Sequence, residues 1–247
     1  MIGTIKADLQ ILLQMLRGRS RRGSHQQQLE HFYGPQAGNY DAFRERLLHG
    51  RRELVTRMGI LPEQSIVELG AGTGQNLRYL GYPLQLFEKV DVVDLCPALL
   101  DIARQHYQHL DNIHAIEADA TTYKPDSPVD RVYFSYALTM IPDWKKAINN
   151  ALGMLKPGGL FGVVDFYISA DTVTGDQVRH GYIARKFWQG WFAHDGVYLV
   201  PDHLDYLRSV CRIVYVQELR GSVPYLPFLK APYYIYVGQK ESDLSRA

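Results

Sequence analysis

The sequence predicts an α/β fold with a doubly wound, mostly parallel sheet, and three observations lead to this prediction. From about residue 60 onward, short apolar segments of strand character alternate with segments of helical period. Three glycines, Gly70, Gly72 and Gly74, come directly after the first of these strands. Near the end of the chain, two strand segments follow one another with no helix between them. The alternation is typical of a parallel sheet covered by helices on both faces, and the final pair predicts an antiparallel hairpin at the sheet edge.

The hydrophobic pattern locates each element in turn. Strands are predicted where apolar residues run together, at residues 65–69, 90–93, 113–116, 129–134, 160–166, 213–219 and 233–239. Helices are predicted where apolar residues recur every three or four positions, beginning at 75–80 and then at 99–107, 144–155, about 173–192 and about 201–211. Pro157 and Gly158 end the helix over 144–155, because neither residue continues a helix. We therefore expect one sheet of seven strands.

The composition excludes several classes of protein. The 247 residues include 27 Lys+Arg and 26 Asp+Glu and are 46% hydrophobic, a balance that fits neither a disordered chain nor a basic nucleic-acid binder. No apolar run approaches the ~18 residues that a membrane-spanning helix needs. Two cysteines, Cys96 and Cys211, make no disulfide framework and no close-spaced metal motif, which predicts a cytoplasmic protein. The 17 tyrosines are more than an average protein composition would lead one to expect.

Residues 1–25 form an N-terminal extension of different character, with five basic residues against one acid. Its apolar residues recur at three- and four-residue steps and make one stripe on a helix: Ile2, Ile5, Leu9, Leu12, Leu13 and Leu16. The charge follows the apolar stretch, which does not fit a signal peptide. Two interpretations stay open. The helix packs over the domain before a basic linker, or it lies on an anionic membrane surface with its arginines near the head groups.

Three acids accompany the glycine loop at the predicted carboxyl ends of consecutive strands. Glu68 precedes the loop 70–74, Asp94 ends the second strand and Asp119 ends the third. Glycines there let the backbone come close to a ligand, but the spacing GxGxG lacks the third glycine of a dinucleotide fingerprint. Each acid alone could be a helix cap or a solvated loop residue. Together they favour a ligand with a positive charge, a ribose and an adenine and without a phosphate, as in S-adenosylmethionine.

These motifs resemble those of the class I S-adenosylmethionine-dependent methyltransferases, which have a Rossmann-like fold. The segment Ile66-Val-Glu-Leu-Gly-Ala-Gly-Thr-Gly74 is similar to their first motif and Val92-Val-Asp94 to their second. Ala118-Asp119-Ala120 resembles their adenine-contacting turn, and Leu155-Lys-Pro-Gly-Gly-Leu160 the turn before their fifth strand. The resemblance implies S-adenosylmethionine as cofactor, with Glu68 near its amino group, Gly70 and Gly72 at its methionine part and Asp94 at its ribose. The cofactor-binding residues expected from it are Glu68, Gly70, Ala71, Gly72, Gly74, Asp94, Leu95, Asp119, Ala120 and Ser135.

We therefore expect residues 26–247 to form a single methyltransferase domain, with a cofactor-binding core at about 50–168 and an acceptor-side insert at about 170–212. Three segments outside the motifs of the cofactor-binding core resemble the betaine-lipid N-methyltransferases: 31–41, 134–144 and 185–198. That resemblance implies three successive methylations of the amino group of diacylglyceryl-homoserine. Aromatic faces bind a methylated ammonium without hydrogen bonds, so Tyr33, Tyr40 and Tyr136 are the candidate catalytic residues. Ordinary packing is the alternative for each of them.

Other acceptors and other roles stay open. Phosphatidylethanolamine or a quinone ring are alternative methyl acceptors, and a non-enzymatic cofactor-binding protein is an alternative of another class. The sequence indicates no compelling general base; Asp41, His194, Asp195 or solvent could take a proton.

No metal site is expected, since HExxH is absent and His106 with His109 fits an exposed helix face. We expect a lipid or lipid-like acceptor, peripheral contact with the inner face of an anionic membrane and no nucleic acid as partner. The oligomeric state stays open. Four aromatic residues flanked by Arg185 and Lys186 fit either an interfacial patch or a helix packed on the sheet: Phe187, Trp188, Trp191 and Phe192.

Overall fold

A computed structural model describes residues 23–33, 45–171, 177–194, 196–224 and 226–240 of the chain. Within these ranges the strands are β1 Ser65–Leu69, β2 Lys89–Asp94, β3 Ile113–Glu117, β4 Val129–Ser135, β5 Leu155–Phe166, β6 Arg212–Val223 and β7 Leu226–Gln239. They form one seven-stranded sheet in the order β3-β2-β1-β4-β5-β7-β6. Strands β1 to β5 pair in parallel, whereas β7 is antiparallel to both β5 and β6. The predicted mostly parallel sheet with a terminal antiparallel hairpin is confirmed.

Helices cover both faces of this sheet. They are α1 His25–Tyr33, α2 Arg51–Arg57, α3 Pro97–Tyr107, α4 Trp144–Met154, α5 Tyr182–His194 and α6 Asp202–Val210. Successive side chains of a strand point to opposite faces of the sheet, so the strands contribute side chains to two separate hydrophobic clusters. Helices α2, α3 and α5 contribute side chains to one cluster, and α4 and α6 contribute to the other. The fold is therefore doubly wound, as the strand–helix alternation predicts.

The segment after the glycine loop is shorter than the sequence pattern predicts. Instead of the start of an α-helix at 75–80, it forms a 3₁₀-helix, Gln75–Tyr79, and then a second one, Leu84–Leu86. Gly81 has a φ of +78° and Pro83 precedes the second turn, so the α-helix cannot continue. The first turn packs Asn76 into the interior, which becomes important for the site.

Two further boundaries differ from the prediction. Helix α5 begins at Tyr182, and residues 177–181 before it are not helical. Strand β5 begins at Leu155, so the predicted turn at Pro157 and Gly158 is the irregular start of that strand. In the ranges that the structure describes, no helix combines the length and the apolar character that crossing a bilayer requires.

Candidate active site

A cavity of about 340 Å³ opens where the parallel strands end at their carboxyl edge. Ligands of doubly wound sheets bind at this edge, because the strand order reverses between β1 and β4 and leaves a crevice there. The structure brings many of the predicted residues together in the cavity wall: Gly70, Ala71, Gly72, Asp94, Leu95, Asp119, Ala120, Ser135 and Tyr136. Glu68 and Gly74 do not line it. Tyr40 and the side chain of Tyr33 lie outside the described residues, so their predicted roles stay predictions.

The glycine loop holds its shape through positions that side chains would disturb. Gly70 has a φ of +69°, and a Cβ atom there would lie 2.3 Å from the Cβ of Ala137. Its backbone N–H and that of Ala71 donate to the carbonyl of Val93, at 2.8 and 3.0 Å. The loop is thereby fixed against the end of β2, and it presents backbone rather than side chains to the cavity.

Asp94 is the residue that joins this loop to the end of β2. Its Oδ2 accepts the backbone N–H of Gly72 at 2.8 Å, and its Oδ1 accepts that of Cys96 at 2.8 Å. These bonds fix the orientation of the carboxylate, and Asp94 itself lines the cavity. A pair of ribose hydroxyls is a donor set that such a carboxylate can accept.

Asp119 and Ser135 supply further polar groups to the same cavity. Asp119 lies two positions beyond the end of β3 at Glu117, not at the strand end itself, and its Oδ1 accepts the backbone N–H of Thr121 at 2.7 Å. The Oγ atom of Ser135 is buried and has no hydrogen-bond partner among the described residues. Buried hydroxyls are usually hydrogen-bonded, so this one indicates a missing ligand. The set of acceptors and this unpaired hydroxyl fit the adenosine part of S-adenosylmethionine.

Glu68 has a different position from the one that a direct cofactor contact requires. It is fully buried below the loop, where Oε1 accepts the side-chain amide of Asn76 at 2.5 Å and Oε2 accepts the hydroxyl of Tyr133 at 2.9 Å. Burial raises the pKa of Glu68 to about 7. Asn76 itself lines the cavity. Glu68 therefore reaches the site through Asn76, and its contact with the amino group of the cofactor stays a prediction.

Gly74 also acts from behind the cavity wall. Its φ is +72°, its carbonyl accepts the hydroxyl of Tyr107 at 2.9 Å, and a Cβ there would lie 3.0 Å from the Tyr107 ring. This glycine shapes the end of the loop against α3. Its side of the loop faces the protein interior.

Arg51 is a cavity residue that the sequence reasoning missed. It is the first residue of α2, only 9% exposed, and it donates from Nη2 to Glu45 Oε2 at 2.5 Å and from Nη1 to Asn76 Oδ1 at 3.4 Å. Arg46, Arg52 and Arg57 surround it in the sequence and are exposed. Nothing in the sequence distinguishes one of these arginines from the others, because the inward turn depends on how α2 packs on the sheet.

Another part of the cavity wall is formed by Tyr136 and apolar side chains. The hydroxyl of Tyr136 donates to the carbonyl of His49 at 2.6 Å, which holds the ring in place. The segment 134–144, predicted to form a pocket wall, does so with residues 135–137 and 140–143. The apolar side chains beside Tyr136 are Leu29, Leu48, Met140 and Ile141.

The predicted aromatic patch of α5 is only partly at the surface. Trp188 and Phe192 are 6% and 3% exposed and pack in the hydrophobic cluster of one sheet face, so an interfacial role is wrong for these two. Phe187 is 41% exposed. His194 and Asp195, considered as proton acceptors, lie outside the described side chains, as does Asp41. Among the residues that the structure describes, no group of three or more His, Cys, Asp or Glu could hold a metal ion.

Sequence comparison matches residues 66–159 to a family model described as a methyltransferase domain. A ubiquinone/menaquinone biosynthesis C-methyltransferase from Acidiphilium cryptum is 28% identical over 159 residues, which cover 59% of this chain and 61% of that protein. The chain thus spans about 61% of the length of this curated relative.

Solved structures share the fold at low sequence identity. The N-methyltransferase NodS from Bradyrhizobium japonicum, in complex with S-adenosyl-L-homocysteine, has a TM-score of 0.63 at 16% identity, covering 89% of this chain and 100% of that one. A phosphoethanolamine N-methyltransferase from Haemonchus contortus has a TM-score of 0.66 at 12% identity, covering 90% and 61%. The matched segment 66–159 contains β1, the glycine loop and the strand ends that build the cavity. Residues 66–159 therefore match a methyltransferase domain, and the described sheet has the fold of these solved methyltransferases.

Proposed function

We propose that the chain transfers methyl groups from S-adenosylmethionine to the amino group of a membrane-lipid head group, and that successive methylation of diacylglyceryl-homoserine to a betaine lipid is its reaction. The observation that carries this proposal is the position of Tyr136 in the cavity wall, with its hydroxyl already hydrogen-bonded. Because this hydroxyl is bonded to the His49 carbonyl, we expect the ring rather than the hydroxyl to face an acceptor. An aromatic ring attracts a cation that has no N–H left to donate, which is the product of complete N-methylation.

Residues of the chain can hold the cofactor along the polar side of the cavity. Asp94, Asp119 and Ser135 line the cavity; in this proposal Asp94 accepts the ribose hydroxyls, and Asp119 and Ser135 contact the adenine. The buried guanidinium of Arg51 offers a positive charge for the carboxylate of the methionine part. When bound, S-adenosylmethionine would supply a methyl group on a positively charged sulfur. The lone pair of a neutral amine would attack the methyl carbon in line with the carbon–sulfur bond, which breaks and leaves S-adenosylhomocysteine.

The described cavity wall favours positioning over proton transfer. Asp94, Asp119 and Asp143 each accept backbone N–H groups, which fix the orientation of the carboxylate. Burial raises the pKa of the Tyr136 hydroxyl well above its ordinary value, so this hydroxyl stays protonated and does not act as a base. We therefore expect the acceptor amine to lose its proton to solvent and to enter the cavity in its neutral form.

Membrane contact belongs to the same proposal, because a diacylglyceryl acceptor stays in a bilayer. Residues 1–22 lie outside the described part of the chain, and their apolar stripe and basic residues have the pattern of a helix on an anionic surface. The chain would then act in the cytoplasm at the inner face of a membrane.

Methylation of a quinone ring is a second candidate, and a specific observation favours it. The curated relative from Acidiphilium cryptum is named for C-methylation in ubiquinone and menaquinone biosynthesis. The aromatic and apolar wall around Tyr136 would also accept a quinone ring. Phosphatidylethanolamine is a third acceptor that would fit the same wall.

A panel of acceptors tests the proposal. The purified full chain is incubated with methyl-labelled S-adenosylmethionine and, separately, with diacylglyceryl-homoserine, phosphatidylethanolamine and a demethylated quinone in mixed micelles. We expect label in diacylglyceryl-homoserine. Label in the quinone or in phosphatidylethanolamine instead would replace the acceptor. Cofactor binding without label in any lipid or quinone would favour a non-enzymatic protein.

Replacement of Tyr136 tests the observation that carries the proposal. Tyr136→Leu removes the ring and should slow the last methylation about tenfold, since a cation–ring contact in a desolvated site contributes ~1–2 kcal/mol. Tyr136→Phe keeps the ring and loses only the bond to His49, and should stay within about threefold of the unaltered protein. The ratio of trimethylated to monomethylated product measures both variants. Equal losses in the two would show that the hydroxyl, not the ring, is the functional part.

A further inference from the structure

The outer face of helix α5 is apolar where a surface helix is usually polar. Tyr182, Ile183 and Phe187 are 67%, 83% and 41% exposed, whereas Trp188 and Phe192 on the inner face are buried. Ile183 and Phe187 are four positions apart and so lie next to each other on the helix. A surface helix normally places charged residues opposite its buried stripe. This reversal indicates that the outer face of α5 meets something other than water.

Aromatic contacts join this outer face to the cavity wall. The Tyr136 ring lies 4.6 Å from that of Phe166, and Phe166 lies 4.4 Å from Phe192. Phe192 lies 5.6 Å from Trp188, and Trp188 lies 4.9 Å from Phe187, all measured between ring centroids. The outer face is therefore linked to the proposed acceptor site by one continuous series of packed rings.

The end of the β6–β7 hairpin lies at the same edge of the sheet. The register pairs Phe166, the last residue of β5, with Tyr233, and the hairpin continues past this pair to its end at Val223 and Leu226. These two residues join the hydrophobic cluster that also contains Trp188 and Phe192 of α5. Phe228, near the hairpin end, is 97% exposed. Phe228 thus adds a further exposed aromatic residue at the edge where α5 packs.

Basic residues accompany these exposed apolar side chains. The ammonium of Lys186 lies 5.8 Å from the centre of the Tyr182 ring. Arg179 just before α5 and Lys230 on the hairpin are exposed. The surface therefore combines apolar anchors with positive charge.

We propose that this docking surface, formed by the outer face of α5 (Tyr182, Ile183, Phe187, Lys186) and the hairpin end with Phe228, binds an anionic phospholipid bilayer. The inference rests on the lipid acceptor of the proposed function and adds the surface that brings the cavity to the bilayer. A few apolar side chains are too small a surface for a specific protein interface, which buries ≈ 800 Å² per partner. Apolar anchors among basic residues are instead typical of helices that lie in a membrane interface.

Vesicle sedimentation of the full chain tests the proposal. The probes are vesicles of phosphatidylcholine alone and of phosphatidylcholine with phosphatidylglycerol. Ile183→Ser combined with Phe187→Ser should lower partitioning onto the mixed vesicles by about tenfold or more, because two apolar side chains no longer leave water. Lys186→Gln should lower it about fivefold on the mixed vesicles and leave binding to phosphatidylcholine unchanged.

Ile213→Ser is the matched control. Ile213 is 44% exposed, and this fraction is similar to the 41% of Phe187. It pairs with Gly238 near the opposite end of the hairpin, away from the docking surface. This variant should bind vesicles like the unaltered protein, and all variants should keep their affinity for S-adenosylhomocysteine.

Unchanged vesicle binding by the double variant would overturn the proposal. So would dissociation of an oligomer by the same substitutions without loss of vesicle binding, because the surface would then be an interface between copies. The acceptor panel is independent of this result. Failure of diacylglyceryl-homoserine in the panel removes the proposed acceptor, while failure of the vesicle experiment removes only the docking surface.

Discussion

Replacement of Asp94 with alanine should lower the affinity for S-adenosylmethionine about 100-fold, which corresponds to ~2.7 kcal/mol. Hydrogen bonds to a charged group contribute ~1.5–3 kcal/mol each, and we propose that this carboxylate accepts the ribose hydroxyls. The change also removes the acceptor of the Gly72 and Cys96 N–H groups, which loosens the glycine loop. Lipid binding should change less than cofactor binding, because the acceptor wall around Tyr136 is built from other segments.

Calorimetric titration separates the two effects of this substitution. An analogue of the cofactor without ribose hydroxyls should bind the unaltered protein weakly, because its contact with Asp94 is missing. The Asp94→Ala variant should bind this analogue about equally weakly, because the same contact is already lost and the substitution removes nothing more. Asp91→Asn is the matched control. Asp91 lies in the same strand, fully buried, where it accepts the hydroxyl of Tyr123 at 2.7 Å, and it does not line the cavity. A loss of lipid binding larger than the loss of cofactor binding would contradict the ribose role.

Replacement of Glu68 with glutamine should change how the stability of the protein depends on pH. Burial raises the pKa of Glu68 from 4.5 to about 7, so the folded protein holds this proton more tightly than the unfolded chain does. The free energy of unfolding of the unaltered protein therefore loses the contribution of neutral Glu68 as the pH rises from 4.5 to about 7. Glutamine does not titrate. The stability of Glu68→Gln relative to the unaltered protein should rise by up to roughly 1.4 kcal/mol per pH unit in this window.

The difference between the two proteins is the quantity to measure, because other buried groups titrate nearby. Burial raises the pKa of Asp165 to about 7, so this group, like Glu68, lowers the free energy of unfolding as the pH rises. Burial lowers the pKa of His203 to about 4, so this group raises the free energy of unfolding as the pH rises. Urea unfolding at several pH values removes these shared contributions by subtraction. Glu53→Gln makes the same change at a side chain that is 40% exposed, and it is the control. A pH-independent difference for Glu68→Gln would mean that Glu68 is ionised throughout.

The sheet and its hairpin follow from local patterns in the sequence. Apolar runs separated by turns predict the strands because burial on both faces leaves a nearly continuous apolar signal, as in Val90-Asp-Val-Val93 and in β5. The pattern predicts less well where one residue stops an element. Gly81 and Pro83 reduce an expected helix to two 3₁₀-turns, because backbone geometry at these positions overrides the apolar spacing.

The site was predictable only where its residues follow strands. Asp94 and Gly70 could be located because the ends of parallel strands meet at one edge. Arg51 and Leu29 could not be located from the sequence. They reach the cavity from α2 and α1, respectively, and the packing of these helices depends on contacts distant in sequence. The partners of Glu68 were equally hidden, because Tyr133 comes from the neighbouring strand β4.

The atom that receives the methyl group tests the central claim most directly. The full chain is supplied with methyl-labelled S-adenosylmethionine and diacylglyceryl-homoserine together with a demethylated quinone, and NMR spectra of the extracted products are recorded. The account predicts the label as N-methyl signals of a head group that progress to a trimethylated ammonium. Label on a ring carbon of the quinone, with none on nitrogen, would contradict it.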